Sequence, residues 1–183
     1  MNKPNPIRIA VMQLAPVKDT RPTQPLRATQ QAVGFDVTPR QIKQIAPNEV
    51  HCLIGWHIKP PKGFKVTLVP QSRFTKTNWV MQNSPGQVDP DYRGEVQFRF
   101  RALPTGISLK QMFLNLFRTK ANRKSPFTYD PFPFTTKDTC GQIFLEKVYN
   151  TEIHYVPVED LGKTQRGEGG FGSTKKNINQ LNK

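Results

Sequence analysis

Gly86-Gln-Val-Asp-Pro-Asp-Tyr-Arg-Gly-Glu95 runs without a break into Val96-Gln-Phe-Arg-Phe-Arg-Ala-Leu103, and the second half reads as a β-strand. Val96, Phe98 and Phe100 recur every second residue, the period of a strand with one apolar face. Immediately upstream, Asn83-Ser-Pro-Gly86 carries turn chemistry and Val88 starts the next strand, so this stretch predicts a hairpin. Further strand candidates lie at Ile7-Arg-Ile-Ala-Val-Met-Gln-Leu14 (closed by Ala15-Pro16), Val50–Ile54, Phe64–Val69 and Trp79–Met81. Ile143–Tyr149 and Ile153–Val158 complete the series, and a short apolar run covers Ala32–Val37. Pro60-Pro-Lys-Gly63 is a turn, and most of the 17 prolines and 12 glycines fall between apolar runs. Many short strands with turn signals and little helix predict an all-β fold: an antiparallel sandwich, jelly roll or barrel.

The length of 183 residues suits one domain with appendages, and 36% hydrophobic and 10% aromatic content argues against disorder. No run approaches the ~20 apolar residues that span a membrane, and Met1–Pro6 lacks the apolar stretch of a signal peptide. A cytoplasmic protein is the expectation. Cys52 and Cys140 sit in strand-like runs outside any zinc pattern and read as buried free thiols. His51, His57 and His154 have no metal-ligand spacing. The formal charge of +14 suits a nucleic-acid binder, an anionic substrate or a merely solvated surface, and it is not concentrated in one block. Residues 101–138 carry seven Lys or Arg against two Asp. Sequence-independent binding to nucleic acid is the less favoured of these readings.

One segment departs from the strand pattern. Ser108-Leu-Lys-Gln111 has the form of a capping box, and Leu109, Met112, Phe113, Leu116 and Phe117 follow at helical spacing. Packing of that apolar stripe on the parent sheet is favoured over docking of a partner. Residues 125–137 are too proline-rich for helix and predict an extended path over the surface.

Two clusters offer chemistry. Arg166-Gly-Glu-Gly-Gly-Phe-Gly-Ser-Thr174 supplies backbone donors, two hydroxyls and a cation, a set suited to phosphate. It lacks the ending of a P-loop and the strand-turn-helix of a dinucleotide fingerprint. Phe171 is odd in a linker, since an exposed aromatic wants a surface such as a base. On composition alone a flexible tail remains the better reading. The second cluster holds Asp89 and Asp91, and spacing alone leaves solvated carboxylates and a general base both open.

At this point five segments, in order, resemble the motifs of the trimeric dUTPase family. They are Val33-Gly-Phe-Asp-Val37, Pro70-Gln-Ser-Arg73, Gly86–Glu95, Cys140-Gly-Gln-Ile143 and Arg166–Thr174. The match covers about residues 6–103 and 138–175, and its third and fifth motifs are the most specific. The resemblance implies a jelly-roll-like dUTPase fold over 1–165 with an insertion at about 104–137, and an arm over 166–183 closing on a neighbouring subunit of a homotrimer. It implies hydrolysis of dUTP to dUMP and pyrophosphate, limiting uracil in DNA. Asp89 would activate the attacking water, and Asp36 would hold Mg2+ through water. Ser72, Gln142, Arg166, Ser173 and Thr174 would bind phosphate and Phe171 would cover the uracil, with Arg73 and Gly172 also counted among the substrate-binding residues. Asn83, Gly86 and Val88 would read the base, and Tyr92 would pack under the sugar.

The pattern is departed from in three places. Gln71 stands where an Arg is usual and Arg73 where a small residue is usual. Arg73 either brings a guanidinium to the phosphates or obstructs them, and the sequence leaves both open. Thr139 replaces the usual Arg of the fourth motif, which predicts a missing structural ion pair. The connection between the third and fourth motifs is longer than in compact relatives. This insertion and the altered second motif motivate a second reading, a dUTPase-fold structural or regulatory protein that captures a partner. A dCTP deaminase is a third, disfavoured by Asp91-Tyr92-Arg93.

Overall fold

The computed structural model describes residues 10–164. Its strands in chain order are β1 (Gln13–Pro16), β2 (Phe35–Val37), β3 (Gln41–Ala46), β4 (Glu49–Lys59), β5 (Phe64–Pro70), β6 (Trp79–Met81), β7 (Gly86–Val88), β8 (Glu95–Ala102), β9 (Gly106–Ile107), β10 (Phe127–Thr128) and β11 (Gly141–Lys147). One helix, α1, covers Leu109–Leu116. The strands form an antiparallel sheet in the order β1-β4-β8-β6, with β3 also on β4, a second sheet β2-β11-β5-β7, and the small pair β9-β10.

Residues 10–149 belong to one compact unit, and residues 150–164 to another. The core of the first unit draws on both large sheets: Val50, Cys52, Ile54, Phe98 and Phe100 from one, Val37, Val66, Leu68 and Ile143 from the other. Along β8 the buried positions are Val96, Phe98, Phe100 and Ala102, the face that sequence alternation marked. Each such large apolar side chain stabilises the fold by about 1.5–3 kcal/mol.

The long strand β4 bends at Gly55, where φ is +80° and a Cβ would lie 2.6 Å from Pro22 and 2.8 Å from Arg40. Only glycine takes this geometry without strain, and the register with β8 shifts there, as at a β-bulge. Glu95 pins the bend. Its carboxylate accepts from the Gly55 amide at 2.8 Å and from two guanidinium nitrogens of Arg40 at 2.9 Å each.

Several sequence expectations are corrected. β1 begins at Gln13 and includes Ala15-Pro16 rather than ending before them, and residues 7–9 lie outside the described residues. β3 went unrecognised. The stretch between β6 and β7 is not a hairpin, because β6 pairs with β8 and β7 with β5, so the turn passes between sheets. Residues 153–158 form no strand; the described part of the second unit holds a single 3-10 turn, Val158–Leu161.

The insertion divides in two. Ser108 caps α1, its hydroxyl accepting from the Gln111 amide at 3.2 Å. The Gln111 side chain bonds Asn115 at 2.9 Å instead of completing a capping box. The apolar face of α1 does not pack on the sheet: Leu109, Phe113 and Leu116 are 76%, 61% and 72% exposed. Residues 129–134, expected on the surface, instead fold onto the core. Phe132 meets Trp79 edge-on at 5.0 Å and Phe100 at 5.6 Å, while Phe134 meets Phe74 at 4.4 Å. The Trp79 indole donates to the carbonyls of Asp130 and Pro131, both at 3.2 Å.

Candidate active site

The structure places the described candidate residues in two groups. The first surrounds a cleft of about 220 Å³ lined by Asn83, Val88, Asp89 and Tyr92, with Gln87, Gln97 and Arg99. β7 is held to β5 in the register Val66↔Val88 and Leu68↔Gly86, which brings Gly86 against Leu68. A Cβ on Gly86 would lie 2.8 Å from the Asn83 carbonyl oxygen and 3.0 Å from the Leu68 side chain. The close backbone approach therefore depends on glycine.

Asn83 is fixed to β8. Its Nδ2 donates to the Gln97 carbonyl at 3.1 Å, and its Oδ1 accepts from the Arg99 amide at 3.0 Å. These bonds mimic a strand pairing and fix Asn83 in the wall of the cleft. The Ser84–Pro85 bond within this turn is cis.

Beyond Val88 the chain turns. The Tyr92 amide donates to the Asp89 carbonyl at 3.1 Å, with Pro90 at the second turn position, where its fixed φ is favourable. Arg93 braces the turn by donating to the carbonyls of Pro90 and Tyr92, both at 2.8 Å. Asp89 and Asp91 thus sit in a turn rather than on one face of an extended segment. Asp89 is exposed, and the Tyr92 hydroxyl donates to the Glu95 carbonyl at 3.3 Å.

The second group lies across β2, β11 and the end of β5. Gln142 is the register partner of Asp36 on one side and Val69 on the other. Its Nε2 donates to Asp36 Oδ1 at 2.8 Å. The 3-10 turn Ser72–Lys76 follows β5 and places Ser72 at the surface. Arg73 turns back: Nη2 donates to the Thr139 carbonyl at 2.6 Å, Nη1 lies 3.3 Å from Asp138, and the guanidinium stacks 4.4 Å above the Phe134 ring. The amide and hydroxyl of Thr135, with the Arg73 charge, hold Asp138 below the ordinary carboxylate value.

None of Asp36, Ser72, Arg73 or Gln142 lines the first cleft. Arg166, Phe171, Gly172, Ser173 and Thr174 lie outside the described residues. Gln87, Gln97 and Arg99 were not anticipated. The last two lie on the polar face of β8, opposite Phe98, and the alternation could have pointed to them. Among the described residues no three His, Cys, Asp or Glu side chains cluster as a metal cage. His51 contacts Glu49 at 2.9 Å, and His57 contacts the Arg93 carbonyl at 2.8 Å.

No protein-family model matches the chain. The deoxyuridine 5'-triphosphate nucleotidohydrolase of Fusobacterium nucleatum is 30% identical over 156 residues, covering 83% of this chain and 89% of that protein. The chain belongs to the dUTPase family. The Yarrowia lipolytica deoxyuridine 5'-triphosphate nucleotidohydrolase is 28% identical over 151 residues, covering 82% of this chain and 80% of the relative. Among solved structures, a dUTPase of Staphylococcus bacteriophage 80alpha with dUpNHpp superposes with a TM-score of 0.63, at 15% identity, over 90% of this chain and 98% of that one. The dUTPase of phage phi11 of S. aureus, with a structural Mg(II) ion, superposes with a TM-score of 0.55 at 14% identity, over 80% of this chain and 96% of that one. These structures share the dUTPase fold. Among the described residues no helix is long and apolar enough to cross a membrane.

Proposed function

We infer that this dUTPase-family chain hydrolyses dUTP to dUMP and pyrophosphate. The observation that carries the reading is the cleft that gathers Asn83, Val88, Asp89 and Tyr92 beside the Gly86 approach. In this reading uracil meets the backbone of residues 83–88, whose donors and acceptors suit it and mismatch cytosine. An unpaired buried polar group is costly enough to discriminate between them. Tyr92 lies under the deoxyribose, and its contact leaves no room for a ribose hydroxyl.

Asp89 orients a water for attack on the α-phosphorus and takes its proton as the new P–O bond forms. The bond to the bridging oxygen breaks, and pyrophosphate leaves. Such a base contributes about 10²–10⁴-fold. Ser72 and Gln142 donate to phosphate oxygens. Beyond the described residues, Arg166, Ser173 and Thr174 complete the phosphate site, and Phe171 with Gly172 covers the base when the 166–183 arm closes on a neighbouring subunit. That Asp36, Ser72 and Gln142 do not line the Asp89 cleft supports a site shared between subunits of a homotrimer.

The donors present suit Mg2+ carried in on the substrate. Asp36 is a lone half-buried carboxylate, so the ion would be held mainly by phosphate oxygens, with Asp36 reaching it through water. When bound, the ion neutralises developing charge on the phosphates.

The test is magnesium-dependent pyrophosphate release from dUTP against dCTP, dTTP and UTP, on wild type and Asp89→Asn. Selective release by wild type, with retained nucleotide binding but lost turnover in the variant, is the expected result. A purified trimer that binds dUTP without releasing pyrophosphate would end the enzyme reading.

The exposed face of α1 supports a second and compatible reading, a docking surface for a protein partner. Partner capture unaffected by Phe113→Glu and Leu116→Glu would remove it. Nucleic-acid binding, motivated by the +14 charge, requires affinity that rises steeply as salt is lowered.

A further inference from the structure

The second and fourth motifs each depart from the family pattern, and the structure joins the two departures through one side chain. Arg73 occupies a position usually small, and its guanidinium ends beside Thr139, the position that usually carries an arginine. It donates from Nη2 to the Thr139 carbonyl at 2.6 Å, approaches the Thr139 hydroxyl at 3.5 Å and pairs with Asp138 at 3.3 Å. Phe134 lies under its plane at 4.4 Å. A planar fork that bonds one neighbour, pairs a second and stacks on a third is held in one orientation. Its Nε is buried and, among the described residues, has no hydrogen-bond partner.

Three pieces of chain meet at this guanidinium. Ser72 immediately precedes it. Phe134 lies near the end of the insertion and Asp138 immediately follows it. Thr139 leads into β11, where Cys140 donates to the Val37 carbonyl at 2.9 Å and Gln142 donates to Asp36 at 2.8 Å. Ser72 and Gln142 are therefore tied to each other through Arg73 and the Thr139 backbone, three residues before Gln142. Asp138 is itself locked, its second oxygen accepting from the amide and hydroxyl of Thr135 at 2.8 Å each.

We propose that Arg73 is a positioning residue: it supplies from the second motif the cation missing at position 139, and sets the spacing of the phosphate donors Ser72 and Gln142. The proposal rests on the dUTP-hydrolysing reading for its catalytic consequence. It assigns Arg73 no contact with substrate, in contrast to a guanidinium that grips phosphate. It also makes residues 134–138 part of the site's scaffold.

The experiment compares wild type, Arg73→Ser, Arg73→Ser with Thr139→Arg, and Asp138→Asn, with dUTP as substrate and dUMP as a phosphate-poor ligand. A displacement of about 1 Å in a positioned group can cost about 10²-fold. Arg73→Ser is expected to lower kcat by about 10–100-fold with dUMP affinity unchanged, and the double variant to recover most of the loss. Asp138→Asn should fall between wild type and Arg73→Ser. Amide exchange is the readout independent of turnover. Protection of residues 139–142 should drop in Arg73→Ser and return in the double variant.

A rise in KM for dUTP with kcat intact and no rescue would make Arg73 a direct phosphate ligand and overturn the proposal. Unchanged exchange at 139–142 would overturn it whatever the kinetics. If Arg73→Ser does not fold, Arg73→Lys takes its place, since it keeps the charge but loses the fork to the Thr139 carbonyl. Wild-type activity equal to that of Arg73→Lys, with equal protection, is then the contrary result. If wild type hydrolyses no dUTP, the enzyme reading fails and the exchange result still decides the role of Arg73.

Discussion

The insertion offers a sharp prediction, because its two halves differ in what they bury. Residues 129–138 contribute Phe132 and Phe134 to the ring cluster with Phe74, Phe100 and Trp79. Truncating a fully buried aromatic ring costs about 3–5 kcal/mol, so losing these two half-buried rings removes up to about 6–10 kcal/mol from a total stability of about 5–15 kcal/mol. The Trp79 indole would lose both its carbonyl acceptors as well. Residues 107–127 contribute no buried side chain. Their ends are already adjacent, since Gly106 pairs with Thr128 and the Thr105 amide donates to the Thr128 carbonyl at 2.9 Å. Replacing 107–127 by Asn-Gly would close the pair as a two-residue hairpin. Closing so much shorter a loop changes the closure entropy by about 2 kcal/mol in the stabilising direction, or about 4–8 °C in Tm for a domain of this size. A thermal melt followed by circular dichroism, with pyrophosphate release as the second readout, separates the cases. The short excision should melt at or up to about 8 °C above wild type and turn over dUTP. An excision of 107–137 should not fold. An unfolded short excision, or a stable long one, would refute the division.

Gly86→Ala should lower Tm by a few degrees, since overpacking costs about 1–3 kcal/mol and is only partly offset by about 0.4–1 kcal/mol from the unfolded chain. It should also raise KM for dUTP by shifting the residue 83–86 backbone; unchanged Tm and KM would contradict the 2.8 Å approach to the Asn83 carbonyl. Asp138, through Thr135 and then Arg73, and Glu49, through His51 and then Arg101, are held below the ordinary carboxylate value. The folded state thus binds these protons more weakly than the unfolded chain. Their stabilisation is complete above about pH 5 and fades as pH falls below about 4, and a Tm that rose on acidification would oppose this. Cys52 and Cys140 are fully buried, and the Cys52 thiol together with burial pushes the Cys140 thiol up. Neither should react with a thiol reagent at neutral pH until the protein unfolds; labelling at the rate of a free thiol would show that the core opens.

The sequence was most legible where one local rule acted alone. β8 could be read because alternation is a property of consecutive residues, and its buried face is the one the pattern named. The cleft around Asp89 was legible through the motif that spans it, although its neighbours Gln97 and Arg99 were not. They reach the site only because Asn83 docks on β8, sixteen residues from the amide it accepts. The failures share a cause. Proline and glycine around Asn83 announce a turn but not which strands it joins, and sheet pairing beyond the turn is decided by distant partners. Proline likewise forbids helix across 125–137, which on sequence alone suggests a surface path. Yet proline constrains only the backbone, whereas burial follows side chains, and Phe132 and Phe134 lie where Phe74, Phe100 and Trp79 can cover them. The same confusion of backbone with environment sent the α1 stripe inward. Helical spacing establishes that the apolar residues share a face, but whether that face meets the sheet depends on where β9 and β10 leave the helix. Arg73 is the clearest case. Neither Gln71-Ser-Arg73 nor Thr139 reveals alone that a cation has moved between motifs, because the two positions become neighbours only when β5 and β11 pair.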